Sequence, residues 1–364
     1  MCLFPRLVEN PKYKITKKNG GNVPVLHDKR IGYVPIGCGK CMECMKKKSS
    51  NWKVRLKEEV RNNTNGKFVN LTFSNESFKE IMIKGKIESK GYERDNDIAT
   101  QAVRWFLERW RKKFKKSVKH WFVTELGSKY TERVHIHGIM WTNESNEEIE
   151  KIWGYGNVVI GNEVSERTIN YISKYITKVD LKHKYYTPKI LTSAGIGKDY
   201  INRLDAKGNK YKGEETNEVY KDRSGYKMAL PIYYRNYIYT EEEREKLWLH
   251  KLDKNERWVG GEKIDVSTDK GIEQYYKLLE YYQNVNKRLG FGNNEIDWEA
   301  RNYEIQRRNM LMKNNINKVS KATQLTKNPA KAGRSQRKDN KKAVNDGEMR
   351  DKIKNNSWSQ WKKS

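Results

Sequence analysis

Two histidines alternate with isoleucine in "RVHIHGIMW", Arg133–Trp141, and some thirty residues later two tyrosines stand four apart in "NYISKYITK", Asn170–Lys178. Residues i and i+2 of a strand share a face, so His135 and His137 point one way while Ile136 points into a core. "HWFVTELG" lies just upstream, set off by the polar stretch "SKYTE", and the two segments predict a β-hairpin. With its centre near Tyr130, the hairpin sets Glu125 directly across from His135, and directly opposed residues share a face. Two imidazoles and one carboxylate then converge. They form an open ligand set for a divalent metal, with positions left for water or phosphate oxygens. The plainer reading, two strand histidines on a solvated face, gives the glutamate's alignment no reason. Gly138 is placed to let another backbone come close.

"SERTINYISKYITKVD" reads as one helix, with Ser165 as N-cap and Glu166 in its first turn. Tyr171 and Tyr175 then share a face, separated by a rise of roughly 6 Å. Ile169, Ile172 and Ile176 lie on another face and can do the packing. Lys174 and Lys178 bring charge to the tyrosine side, which a dry core would not accept. A free phenol, with a pKa of about 10, is a weak nucleophile. A metal that polarises a phosphate, with lysines steadying the charge, removes that obstacle.

All four cysteines come early: Cys2, Cys38, Cys41 and Cys44, the last three in "GCGKCMEC". C-x-x-C around Gly-Lys has the shape of a zinc knuckle, and Cys2 can supply a fourth thiolate to a closed structural Zn²⁺ site. Unpaired buried thiols and an iron–sulfur cluster are the alternatives. Zinc would pin the N-terminus to a helix starting near Lys46.

These sites need elements to hold them. "CMKKKSSNWKVRLKEEVRN" predicts a helix of about four turns, capped at Ser49 or Ser50. "GKFVNLTFS", Gly66–Ser74, is β-branched and aromatic and predicts a strand. Asn96–Lys116 carries Ile98, Val103, Phe106, Leu107 and Trp110 at helical spacing. "NEEIEKIW" reads as a short helix and "GNVVIGNEV" as another strand. Hairpins together with alternating helices predict an α+β fold, a mixed sheet with helices on its faces. Past Lys182 the pattern is less regular. "LPIYYRNYIYTEEEREKLWLHKL" suggests a strand or loop leading into a helix, and "GIEQYYKLLEYYQNVNKRL" and "DWEARNYEIQRRNMLMKN" suggest two further helices. Leu311–Ser364 holds 15 Lys+Arg against 4 Asp+Glu, a net of +11, and reads as a disordered basic tail.

Charge points to the partner. The 364 residues include 75 Lys+Arg against 46 Asp+Glu, for a formal net charge of +29. Such a chain is drawn to polyanions, nucleic acid before anionic membrane. Its 11 Trp and 22 Tyr beside that charge suit stacking on unpaired bases. No apolar run is long enough to span a membrane. The opening "MCLFPRLVENPKYK" lacks the pattern of a signal peptide, so a cytoplasmic protein with reduced thiols is expected.

"VHIHG" followed by "YISKYITK" resembles the HUH endonucleases, in particular the two-tyrosine rolling-circle replication initiators of microviruses, including the gokushovirus group. "FVNLTFS" resembles the family's first motif, with Asn70 departing from the usual residue, and "TELG" supplies the glutamate ahead of the histidines. "MCLFP" and "GCGKCMEC" are similar to the start of such initiators. The resemblance is firmest over residues 1–180 and looser in "TSAGIGKDYI" and "LPIYYRNYIYTEEERE". It implies an HUH endonuclease core at 63–182, after an N-terminal four-cysteine segment at 1–62 and before a mostly helical accessory region at 183–310 and the tail at 311–364. It implies Mg²⁺ or Mn²⁺ held by Glu125, His135 and His137, and Tyr171 and Tyr175 as nucleophiles with Lys178 beside them. Its implied partners are a single-stranded DNA origin and the helicase and polymerase of a bacterial host, in whose cytoplasm it would act. One tyrosine would cut, leaving a 5′-phosphotyrosine and a free 3′-OH, and the second would close the circle. Two other readings stand beside it: a relaxase- or transposase-like HUH enzyme, and a non-catalytic, zinc-stapled binder of single-stranded nucleic acid.

Overall fold

Alternating apolar and polar residues in "KFVNL", "HWFVTEL" and "VHIHGIMW" fit a sheet covered on both faces, and the chain builds one. The computed structural model describes residues 1–127, 132–179, 182–292 and 298–311. In chain order, strands β1 (Arg6–Glu9) and β2 (Tyr33–Ile36) pair with each other. Helix α1 (Met42–Asn62) leads to β3 (Gly66–Leu71), then α2 (Asn75–Lys84) and α3 (Gly91–Phe114). The hairpin strands β4 (Lys119–Leu126) and β5 (Val134–Trp141) follow, then α4 (Asn146–Trp153), β6 (Val158–Glu163), α5 (Glu166–Ile172) and α6 (Lys174–Thr177).

Five strands form the central sheet in the order β6-β3-β5-β4-β7, the last being Ile190–Thr192, and every neighbouring pair is antiparallel. The α+β class is therefore as expected. One face packs against α3 and α4: Ile98, Phe106, Trp110, Ile149 and Trp153 close over Val69, Phe122, Ile136 and Met140. The other face packs against α1, α5 and α6, where Leu56, Ile169, Ile172 and Ile176 are fully buried on Trp121, Val123 and Ile139. Each such side chain contributes about 1.5–3 kcal/mol by leaving water. Gly138 belongs to this tight sheet, because a Cβ there would lie 2.4 Å from the Trp121 carbonyl oxygen and 2.2 Å from the Phe122 ring.

Helix α1 begins four residues earlier than the sequence suggests. Cys41 is its N-cap, so the cysteine turn itself launches the helix. Ser49 is inside it, and its hydroxyl donates to the Ser173 carbonyl at 2.9 Å instead of capping. α1 also buries Glu58 completely, answered by both Arg203 and the Tyr220 hydroxyl. A buried carboxylate is tolerable only with such partners.

Beyond β7 come α7 (Leu204–Lys207), the hairpin β8 (Val219–Lys221) and β9 (Lys227–Ala229), helices α8 (Ile232–Ile238) and α9 (Glu241–Asp253), the hairpin β10 (Glu256–Val259) and β11 (Glu262–Asp265), and α10 (Asp269–Leu289). Residues 300–311 are helical. The stretch read as a strand or loop before a helix is two helices. Pro231 precedes the first, and a Thr240–Glu243 capping box starts the second. The hairpin tip around Tyr130 and all but the first residue of the basic tail lie outside the described residues.

Candidate active site and cysteine cluster

The β4–β5 register is the one the hairpin predicts: Glu125 pairs with His135, and Val123 with His137. Alternation then sets Glu125, His135 and His137 on the α5–α6 face, while Ile136 is buried on the α3 face. His137 Nε2 lies 2.7 Å from Glu125 Oε2. Lys178 reaches the other carboxylate oxygen. Burial alone would raise the Glu125 pKa, but His137 and Lys178 hold it below the usual carboxylate range. The His135 imidazole is shifted down, first by burial and then by His137. It is therefore held neutral, as a ligand must be.

Ser165 caps α5 as expected, accepting from the Thr168 amide. The expected single helix is interrupted at Ser173, yet that residue keeps right-handed φ/ψ of −67° and −19°, so the four-residue spacing survives the join. The Tyr175 ring stacks on His137, centroids 4.1 Å apart and planes within 3°. Its hydroxyl is 2.6 Å from that of Tyr171. Tyr171 is 51% exposed and Tyr175 only 8%. Burial first, then the Tyr171 hydroxyl and the Glu125 charge, push the Tyr175 phenol well up. Lys178 Nζ sits 5.9 Å from the Tyr175 ring centre. Lys174 is exposed and adds its field to that of Lys57 at Lys53 of α1.

Five of the six predicted residues thus meet: Glu125, His137, Lys178, Tyr171 and Tyr175. His135 is the exception. Among the described residues the only group of three or more metal-type ligand atoms within 4.8 Å of one another is made of cysteines, so the His135 nitrogens stand off from the Glu125–His137 pair. The donor set fits a hard divalent ion. Two ligands at about 2.1 Å and near right angles lie about 3 Å apart, close to the 2.7 Å seen.

Sequence reading gave no role to two neighbours. Phe68 lies 6.4 Å from His137 and 6.2 Å from Tyr171, ring to ring. Asn70 pairs directly with His137 across β3–β5. Alternation in "FVNL" puts both on one face, but only the β3–β5 pairing, which no local pattern encodes, brings that face here.

The cysteines converge as predicted. All four Sγ atoms lie within 4.8 Å of one another, with Cys2–Cys41 at 3.8 Å and Cys38–Cys44 at 4.0 Å. A tetrahedron with Zn–S bonds of about 2.3 Å has edges of about 3.8 Å. The amides of Phe4 and Cys38 donate to Cys2 Sγ, and that of Cys41 to Cys38 Sγ, which favours thiolates. Contact with Cys2 lowers the Cys41 thiol to about 7. The four cysteines can hold a metal ion such as zinc. Around them Leu3, Phe4 and Met42 are buried with Val259, Ile264, Tyr275 and Leu279.

An antiparallel sheet that presents paired tyrosines beside histidine and glutamate lies in a segment with known relatives. Residues 66–180 match the family model described as Replication-associated protein ORF2. The Replication-associated protein ORF2 of Spiroplasma virus 4 is 26% identical over 291 residues, spanning 68% of this chain and 86% of that protein. The Replication-associated protein ORF4 of Chlamydia phage 1 is 25% identical over 200 residues, 46% of each chain. No solved structure matches. These likenesses set the chain among the replication-associated proteins of gokushovirus-like phages, as its motifs suggest.

Proposed function

We propose that this protein starts rolling-circle replication by nicking single-stranded origin DNA with a tyrosine, and later rejoins the circle with the second. One observation carries the reading: His137 touches Glu125 on one side and stacks on Tyr175, whose hydroxyl meets that of Tyr171. A non-catalytic binder of single strands has no need of that alignment. In this reading the sheet of 63–182 is an HUH core, 1–62 is its cysteine-stapled lead-in, 183–310 an accessory region and 311–364 a DNA-attracting tail.

Glu125, His137 and, after side-chain rotation, His135 would hold Mg²⁺ or Mn²⁺. When bound, the ion supplies charge that polarises the scissile phosphate. Tyr171, the exposed phenol, meets the strand first. Its oxygen bonds to phosphorus as the bond to the 3′ oxygen breaks. The phenol proton leaves, and the departing 3′ oxygen takes one up, so a free 3′-OH and a 5′-phosphotyrosine remain. Lys178 steadies the added negative charge. Tyr175, held against His137, stays in reserve for the second transfer. The phosphotyrosine keeps the energy of the cut bond, so rejoining needs no ATP. The 3′-OH would prime a host polymerase working with a helicase, which puts the reaction in the host cytoplasm. Among the described residues no helix is long and apolar enough to cross a membrane.

The test is incubation with circular single-stranded phage DNA and Mn²⁺. A protein–DNA band that survives SDS is expected, and its absence on DNA carrying a cognate origin would count against the reading.

A further inference from the structure

Strand β3 sets Asn70 directly opposite His137. Two buried polar atoms here lack a hydrogen-bond partner among the described residues: Asn70 Oδ1 and His137 Nδ1. Leaving such an atom unpaired costs about 1–3 kcal/mol. Directly opposed side chains have Cβ atoms about 4.5–5.5 Å apart, a span that an amide and an imidazole can close with a small rotation. The His137 ring has little other freedom, stacked on Tyr175 at 4.1 Å and flanked by Phe68.

We infer that Asn70 is a positioning residue for His137, its side-chain amide pairing with the ring nitrogen that faces away from Glu125. This rests on the proposed nicking site and adds a residue to it. The chemistry favours an amide. A neutral imidazole carries one N–H, and its other nitrogen is an acceptor. With Nε2–H donating to Glu125 across 2.7 Å, Nδ1 is the acceptor and takes the Asn70 NH₂. Once a cation takes the Nε2 lone pair, the proton must sit on Nδ1, and Asn70 accepts it through Oδ1. An asparagine serves both states by rotating its amide. Ligating histidines are held this way by an outer partner, whose loss lowers metal affinity about 10–100-fold.

The test uses the full-length protein, Asn70→Leu, which keeps the size and loses the polarity, and Asn70→Asp, which can only accept. The first readout is the ¹⁵N spectrum of the His137 ring without any cation, assigned by comparison with His137→Gln. Asn70→Asp should draw a proton onto Nδ1 and Asn70→Leu should not. Identical His137 spectra in all three proteins overturn the inference. The second readout is Mn²⁺ affinity without DNA, measured as free Mn²⁺ by paramagnetic resonance. Asn70→Leu should bind about 10–100-fold more weakly and Asn70→Asp at least as tightly as the parent. Equal affinity in Asn70→Leu and the parent also overturns it. If the parent binds no Mn²⁺ while the His137 spectrum still follows residue 70, the pairing stands and the nicking reading fails. If Asn70→Leu does not fold, the spectrum of Asn70→Asp against the parent decides alone.

Discussion

At the cysteine cluster, four sulfurs from two distant stretches of chain already stand at the spacing of a zinc tetrahedron, ringed by Leu3, Phe4 and Met42. At the tyrosine site, Glu125 and His137 touch, His135 stands off, and Tyr171 is half in solvent. The first has the form of a structural centre, closed on every side. The second keeps open positions, as a site must if DNA oxygens are to join the ligands. A closed site contributes to folding and an open one to chemistry, so damage to each should be read out differently.

The largest effect is expected at the open site. His137→Ala should cut origin cleavage about a thousandfold, since the ion's charge stabilisation is worth several kcal/mol. DNA binding should persist, because the basic surface needs no ion. Gel assays of cleavage and binding on one oligonucleotide check this, and unchanged cleavage in saturating Mn²⁺ would remove the metal assignment.

The closed site should behave in the opposite way. Elemental analysis should find about one zinc per chain. Cys38→Ser should lose it and lower the melting temperature on the order of 10 °C, with proteolysis appearing near Leu3 and Phe4. At low temperature the same variant should still cut a short oligonucleotide. Protein with neither zinc nor iron would end the idea of a metal staple.

A smaller contrast lies inside the open site. Tyr171→Phe should slow the first cut about tenfold or more, some 1.4 kcal/mol of barrier. Tyr175→Phe should leave that cut within a few-fold and lose the release of a closed circle. The reverse order in single-turnover assays would show that the buried phenol acts first.

The smallest effect should be Ser49→Ala, which removes the hydroxyl that satisfies the Ser173 carbonyl at the helix join. One hydrogen bond of this kind is worth about 1 kcal/mol. Urea melts should show that loss, and a loss near zero would mean the join needs no support from α1.

Much of the open site was legible because its geometry is local. Period-two alternation aligned His135 with His137, hairpin symmetry brought Glu125 across from His135, and period 3.6 paired Tyr171 with Tyr175 while sending Ile169, Ile172 and Ile176 to the core. The break at Ser173 was not legible, since its dihedrals stay helical and no proline or glycine marks it. Phe68 and Asn70 were missed for another reason. Their place depends on β3 inserting between β5 and β6, a pairing made across more than sixty residues. The start of α1 was misread because serine is a better cap by propensity than cysteine, while the cysteine cluster dictates the entry of the chain. The Cys2 arm was legible only through chemistry: nothing in its spacing links it to Cys38, but a tetrahedral site needs a fourth ligand.

The central claim is that a phenol in this site becomes bonded to DNA. The most direct test is mass spectrometry of the SDS-stable adduct formed on an origin oligonucleotide, with the double variant Tyr171→Phe/Tyr175→Phe run beside it. The account predicts a nucleotide mass on the peptide spanning Asn170–Lys178, at Tyr171 or Tyr175, and no adduct in the double variant, which should still bind DNA. An adduct on any other residue, or one that persists in the double variant, would contradict it.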